Sequence, residues 1–156
     1  WLAIADRFGI VSERAVLLGA FSVIQNLAVP FTLEIDPLAD DIKERAAALA
    51  RDSCLPEATW FRPVAELGPV DLVRIRVGRA LALDPAVLLL EHISAGIERK
   101  DVRRLGAEIQ EMAIRRGPSI IAATADADFA AAIASRVLIL EPASGRLKRR
   151  RAAWFG

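Results

Sequence analysis

The chain has 156 residues, 54% hydrophobic and 26% charged, enough apolar material for one folded domain and too much for a disordered chain. Its formal net charge is +1, so no global field calls for nucleic acid or an acidic partner. The single cysteine, Cys54, excludes an internal disulfide framework and fits a reducing compartment.

Arginine far outnumbers lysine and alanine is abundant, as in proteins of GC-rich bacteria. No apolar run reaches membrane-spanning length, and no secretion signal is recognisable. The first residue is Trp1, and the chain opens inside what reads as a structured segment. The sequence is therefore expected to be a piece of a longer one.

In chain order, residues 1–12 are mostly apolar, with "FGIVS" as a strand. "AVLLGAFSVIQNLAVPF" reads as a loop followed by a short apolar helix. Asp36-Pro37 predicts a helix start, with Asp capping and Pro in the first turn. Leu38, Ile42, Ala46 and Leu49 then recur at helical spacing. "SCLPEATWFRPV" interrupts with two prolines. A helix is expected from about Asp71 to Leu83, stopped by Asp84-Pro85.

An alternating region follows. Val87–Leu90 predicts a buried strand. Val102, Leu105, Ile109 and Met112 predict a helix that ends at Gly117-Pro118. Ser119–Thr124 is a second buried strand, and Asp126 caps a helix carrying Phe129 and Ile133. Val137–Leu140 is a third strand, and Leu147 opens an edge strand after the "ASGR" turn. Uniformly apolar strands alternating with helices predict a mostly parallel α/β sheet.

Sites in such sheets lie at the carboxyl ends of strands. Glu91-His92 ends one predicted strand and Thr124-Ala125-Asp126 the next. His92 is the only histidine, so an acid–imidazole pair or a metal site is open. A metal needs several convergent ligands, and the sequence supplies no second histidine. A half-buried polar residue without a role accounts for His92 more simply, and Glu91 paired with an arginine or with solvent has equal claim. Cys54 is expected as a small buried apolar residue.

Three collinear stretches carry a family resemblance. "LVRIRVGRALALDPAVLLLEHISAGIERKDV" resembles the run from signature helix through Walker B to the D-loop of an ATP-binding cassette (ABC) ATPase. "SIIAATADADFAAAIASRVLILEPASGRL" is similar to that family's switch-histidine strand and the strand after it. "RFGIVSERAVLLGAFSVIQNLAVPF" resembles its Q-loop and the start of its helical subdomain. The text at Gln25–Phe31 resembles the bacterial branch serving lipoprotein release, lipid trafficking and cell division.

The resemblance implies a P-loop NTPase core with a mostly parallel sheet at residues 1–19 and 86–156. A helical subdomain would occupy about 20–85, and residues 1–156 together would make a partial nucleotide-binding domain. ATP and Mg²⁺ are the implied ligands. The phosphate loop G-x-x-x-x-G-K-[ST] does not occur in this chain. In the family it precedes the Q-loop, so it is expected in a missing amino-terminal part.

Matched residue by residue, the sequence departs from the family at its working positions. The Q-loop glutamine is Glu13, and the Walker B aspartate is Glu91, both candidate Mg²⁺ ligands. The catalytic glutamate is His92, the switch histidine is Ala125, and the D-loop acid is Glu98. The signature reads Leu67-Gly68-Pro69-Val70-Asp71. Pro69 has no N–H to offer phosphate, Val70 adds bulk, and Asp71 adds negative charge.

These departures predict weak or absent ATP hydrolysis by a degenerate subunit. It would dock on a membrane permease, pair as a homo- or heterodimer with another ABC ATPase subunit, and bind no nucleic acid. The implied location is the cytoplasmic face of a bacterial plasma membrane, as a peripheral protein. Leu17, Leu18 and Phe21 are the expected docking residues. Two alternatives stay open: an active but divergent transport ATPase using Glu13, Glu91 and His92, and a soluble interaction module that keeps only the fold. "RLKRRR" at 146–151 beside Trp154-Phe155 reads as a solvated edge or as a contact for anionic lipid or nucleic acid.

Overall fold

The computed structural model describes residues 7–149. Three strands form a parallel sheet in the order β1 (Phe8–Ser12), β2 (Val87–Glu91), β3 (Ser119–Ala123). The register places Gly9, Leu88 and Ile120 in one row and Val11, Leu90 and Ala122 in the next. These rows face the core, where Val11, Leu88 and Leu90 are buried.

Because side chains alternate along a strand, the intervening row Ile10–Leu89–Ile121 lies on the other face. Ile10 is 62% and Ile121 60% exposed there. Parallel sheets are ordinarily covered on both faces. The described residues cover one.

All described helices between β1 and β2 belong to one block. Helix α1 (Val23–Ala28) begins with a capping box, Ser22 accepting from the Gln25 amide while Gln25 accepts from the Ser22 amide. Helix α2 (Asp40–Asp52) packs on α1, and α3 (Pro69–Leu81) packs on both. Two 3₁₀ turns, Glu57–Thr59 and Val64–Glu66, join them. Trp60 sits between these turns, buried, and donates from its indole to the Leu55 carbonyl at 3.0 Å.

Two close approaches fix this block to the sheet and to itself. A Cβ on Gly9 would lie 2.6 Å from the Ala80 carbonyl oxygen, so β1 and α3 touch through backbone. A Cβ on Gly78 would lie 2.7 Å from Leu27, where α1 meets α3.

After β2, α4 (Arg99–Arg116) buries Val102, Leu105, Ile109 and Met112 against the sheet and stops at Gly117 in a left-handed cap (φ 95°). Helix α5 (Ala127–Ile133) is capped by Asp126, which accepts from the Asp128 and Phe129 amides. It packs on α4 through Phe129 and Ile133.

Four sequence expectations are corrected. Asp36-Pro37 does not start a helix; α2 begins at Asp40 after Ala39, with no side-chain cap, and Leu38 packs on the core ahead of it. The third helix runs Pro69–Leu81 because Pro69 suits the first helical position. The strand expected at 137–140 is β4 (Leu138–Glu141), and it does not join the parallel sheet. It pairs antiparallel with β5 (Arg146–Arg149) as a separate hairpin. Cys54 is half-buried, in a left-handed conformation (φ 58°) just past α2. Trp1, Trp154, Phe155 and the end of the "RLKRRR" run lie outside the described residues.

Candidate functional site

The three strands end at one edge, and the register brings three distant sequence positions together there. Ser12 stands opposite Glu91, and Glu91 opposite Ala123. Glu13, His92 and Thr124-Ala125 are therefore the next residues out at neighbouring strand ends. Glu13, Glu91, His92 and Ala125 are all exposed.

His92 has a left-handed backbone (φ 51°), an uncommon conformation for a residue with a Cβ. Its amide continues the ladder to the Ala123 carbonyl at 2.9 Å, and its own carbonyl accepts from the Ala95 amide at 3.0 Å. The chain thus turns sharply at His92, and the imidazole is exposed rather than half-buried. Glu91 and Glu13 take part in no ion pair among the described residues. The arginine partner open to Glu91 in the sequence is thus not found there.

The loop after β2 is held from beneath. Ser94 is buried and its hydroxyl lies 3.1 Å from that of Thr124. Thr124 also accepts from the Asp126 amide at 3.0 Å. Asp126 is occupied by its capping bonds and by Arg99 at 2.9 Å. Glu98 pairs with Lys100 at 2.7 Å, and that hydrogen bond lowers the Glu98 pKa below the usual carboxylate value.

Gly68–Asp71 sit at the start of α3, and none of their hydrogen bonds or ion pairs reaches the strand-end edge among the described residues. Gly68 is the N-cap and Pro69 the first helical residue, so the amide at position 69 is absent from the free helix end. Two expectations change here. Val70 packs against the core, so its bulk is not simply added to the surface. Asp71 is neutralised by Arg74 at 2.8 Å.

Arg74 also makes a forked contact to Glu108 of α4, donating from Nη2 to Oε1 at 2.9 Å and to Oε2 at 2.7 Å, and from Nε to Oε2 at 3.2 Å. Burial works against the Arg74 charge, but the bonds from Glu108 and then Asp71 outweigh it and raise the guanidinium pKa. This pair locks α3 to α4 in a forked geometry that lysine does not reproduce. Sequence reading missed it because α3 and α4 meet only in the fold.

Sequence reading also missed Asn26. Fully buried in α1, its side chain accepts from the Leu18 amide at 2.8 Å and donates to the carbonyls of Leu18, Phe21 and Ser22. It shapes the loop that carries the expected docking residues. In that loop Leu17 and Phe21 are half-buried, Leu17 packing on the core, while Val16 is 74% and Leu18 37% exposed. A buried amide inside the apolar run "VIQNLA" was the available signal.

The donor set fits a magnesium nucleotide incompletely. Glu13 and Glu91 offer carboxylates at one edge, suited to a hard cation. Ala125 offers no polar side-chain atom, and the described residues contain no group of three or more metal-ligating side chains.

The chain superimposes on solved cassettes across most of its length. It matches a dimeric ATP-binding cassette in a post-hydrolysis state with ADP and Pi at a TM-score of 0.72 and 18% identity, covering 94% of this chain and 64% of that one. It matches cbiO1 from Clostridium perfringens, part of an ABC transporter complex, at 0.73 and 25% identity, covering 88% and 54%. No family model matches the chain. Curated relatives include the methionine import ATP-binding protein MetN of Brucella abortus, 29% identical over 135 residues, 86% of this chain and 36% of that protein. MetN of Mesorhizobium japonicum is 28% identical over 148 residues, 95% of this chain and 40% of that protein.

The chain is a relative of the ABC ATPases and carries their fold.

The chain spans well under half the length of these curated relatives. These curated relatives are methionine import proteins by name. No described helix is long and apolar enough to cross a membrane.

Proposed function

We propose that the chain is part of the ATP-binding subunit of a bacterial ABC transporter that hydrolyses ATP weakly or not at all. It docks on a membrane permease at the cytoplasmic face, beside a second ABC ATPase subunit as homo- or heterodimer. The 20–85 block acts as the helical subdomain and the remainder as the core.

The observation carrying this reading is the composition of the strand-end edge. The residues matching the Q-loop, Walker B, catalytic and switch positions converge there as Glu13, Glu91, His92 and Ala125. In this family's chemistry, catalysis is positioning and charge stabilisation. Ala125 offers neither. Glu13 lacks the amide donor, and His92 replaces an anionic base with an imidazole on a strained turn. When bound, Mg²⁺ and ATP would supply the phosphoryl group and its counter-charge, with Glu13 and Glu91 as the hard ligands at this edge. At the signature position, Pro69 withholds one amide.

Full-length protein incubated with Mg²⁺ and ATP is expected to show turnover far below the roughly 1–10³ s⁻¹ typical of enzymes, with nucleotide binding retained. A turnover in the ordinary range would sink the degenerate reading.

The exposure of Glu91 and His92, both without an ion pair among the described residues, favours one second reading, a divergent but active transport ATPase. His92→Ala separates the two. It abolishes turnover if His92 serves as base, and leaves a low rate unchanged if it does not. Absence of any nucleotide binding by the full-length protein would leave only the fold, as in an interaction module.

A further inference from the structure

We propose that Arg76 and Arg79 are positioning residues for Glu13. By holding the Ala15 and Val16 carbonyls on α3, they fix the turn on which Glu13 stands, and so set the carboxylate that this edge offers to Mg²⁺. The inference rests on the nucleotide reading above and names what orients one of its two carboxylates.

Strand β1 ends at Ser12, and the Ala15 amide bonds the Ser12 carbonyl at 3.1 Å, closing a four-residue turn with Glu13 as its second member. The Arg14 amide bonds the Ser12 hydroxyl oxygen at 3.2 Å. Ser12 is buried and stands in the ladder opposite Glu91, so the sheet fixes the entry to the turn. Helix α3 fixes the exit. Arg79 donates from Nη1 to the Val16 carbonyl at 2.7 Å, and Arg76 from Nε to the Ala15 carbonyl at 3.4 Å. Glu13 is exposed between these anchors, and its carboxylate has no hydrogen bond or ion pair among the described residues. Its position therefore follows from the backbone of the turn.

Both arginines are half-buried, and neither forms an ion pair among the described residues. Arg74 on the same helix, by contrast, has two carboxylate partners. Burial lowers the Arg79 pKa, with no acid to offset it. The other residues lining the space around both guanidiniums, Ile10, Ala15, Val29, Pro30 and Ala80, have apolar side chains. The main-chain carbonyls of the turn are thus the acceptors at hand. Partial burial of a charge works against stability, and the bonds made in return hold the turn in place.

Helix α3 is a firm support for this. Ala80, next to Arg79, meets β1 through backbone at Gly9, and Arg74 ties the helix to α4. A hard cation binds tightly only where its oxygen ligands are correctly placed. Groups that hold a metal ligand in place typically matter about 10–100-fold in metal affinity.

The test measures binding of a fluorescent ATP analogue to the full-length protein, with Mg²⁺ and with EDTA in its place, alongside amide exchange. In wild type, Mg²⁺ is expected to tighten binding, and Glu13→Gln to reduce that gain. Arg79→Ala is expected to cut the Mg²⁺ gain about tenfold while leaving binding in EDTA at the wild-type level. Arg76→Ala, whose bond is longer, should cut it less. Added to Glu13→Gln, Arg79→Ala should cause no further loss, since both act through one carboxylate. Arg79→Lys, which retains a donor, should keep part of the gain. Exchange at the Ala15 amide should rise in Arg79→Ala and not in Glu13→Gln.

An Arg79→Ala variant with the full Mg²⁺ gain, a loss equal in Mg²⁺ and EDTA, or a loss that adds to that of Glu13→Gln overturns the positioning role and leaves the nucleotide reading standing. Where Arg79→Ala does not fold, Arg76→Ala decides by the same measures. Wild type that binds nucleotide no tighter with Mg²⁺, or a Glu13→Gln variant with the full gain, overturns Glu13 as a metal ligand and this inference with it.

Discussion

At the residue scale, Asn26 shows how one buried amide shapes a surface loop. Its side chain satisfies four backbone groups between Leu18 and Ser22 from within the core. Asn26→Ala orphans the Leu18 amide, while the Leu18, Phe21 and Ser22 carbonyls keep the Phe21, Val64 and residue-26 amides as donors. One buried amide without a partner costs about 1–3 kcal/mol, and a loss of that size is expected in urea unfolding. Amide exchange over Leu18–Ser22 should rise in the same variant. Of Leu17, Leu18 and Phe21, expected from sequence as docking residues, only Leu18 is exposed, and Val16 beside it is more so. The reason is local: this loop runs as neither helix nor ladder, so periodicity does not say which side chains turn outward.

At the scale of elements, the β4–β5 hairpin stands on its own cross-strand contacts. Lys148 bonds Glu141 at 2.6 Å. That bond, then one from Ser144, lowers the Glu141 pKa below the usual carboxylate value. A lowered carboxylate pKa gives stabilisation that is present above the ordinary value and is lost as pH falls through the lowered one. Cross-strand NMR signals of the hairpin are therefore expected to hold at neutral pH and fade only as pH falls below the ordinary carboxylate range, and Glu141→Gln should remove that dependence.

The other elements divide by how local their signals were. Phe8–Ser12, Val87–Glu91 and Ser119–Ala123 were legible as apolar runs, and α5 as a capped helix, because their signals lie inside the segment. The start of α2 was not, because Ala39 caps it without a side chain and nothing local marks that turn. The separation of β4 from the sheet was equally illegible, since an apolar run announces a strand and not its neighbour. Glu91-His92 and Thr124-Ala125-Asp126 were legible as strand ends, whereas Glu13 stood out only through the family resemblance. The Arg74–Glu108 lock was invisible because its halves lie on different helices.

At the scale of the whole molecule, the bare face governs behaviour in solution. Phe8, Ile10 and Ile121 are at least 40% exposed on it, and Leu138, Ile139 and Leu140 of β4 are exposed as well. Exposed apolar surface of this kind marks an interface or an aggregation liability. The 156-residue chain produced by itself is expected to bind a hydrophobic dye and to self-associate. Ile10→Ser with Ile121→Ser should reduce both without unfolding it. Equal dye binding by the double variant would place the exposed surface elsewhere.

The pairing of Phe8 with Val87 has a kinetic side. The loop that this contact closes is the entire helical block, and closing a loop costs entropy before its contacts repay it. A strand pair this distant in sequence forms late unless the intervening chain has already drawn its ends together. Helices α1 and α3 do that, α3 reaching back to touch Gly9. A mild substitution where α1 meets α3, such as Leu27→Val beside Gly78, should therefore slow refolding in stopped-flow mixing. Substitutions in the hairpin should leave the refolding rate alone and hasten only unfolding. The helical block is then the nucleus from which the sheet is assembled.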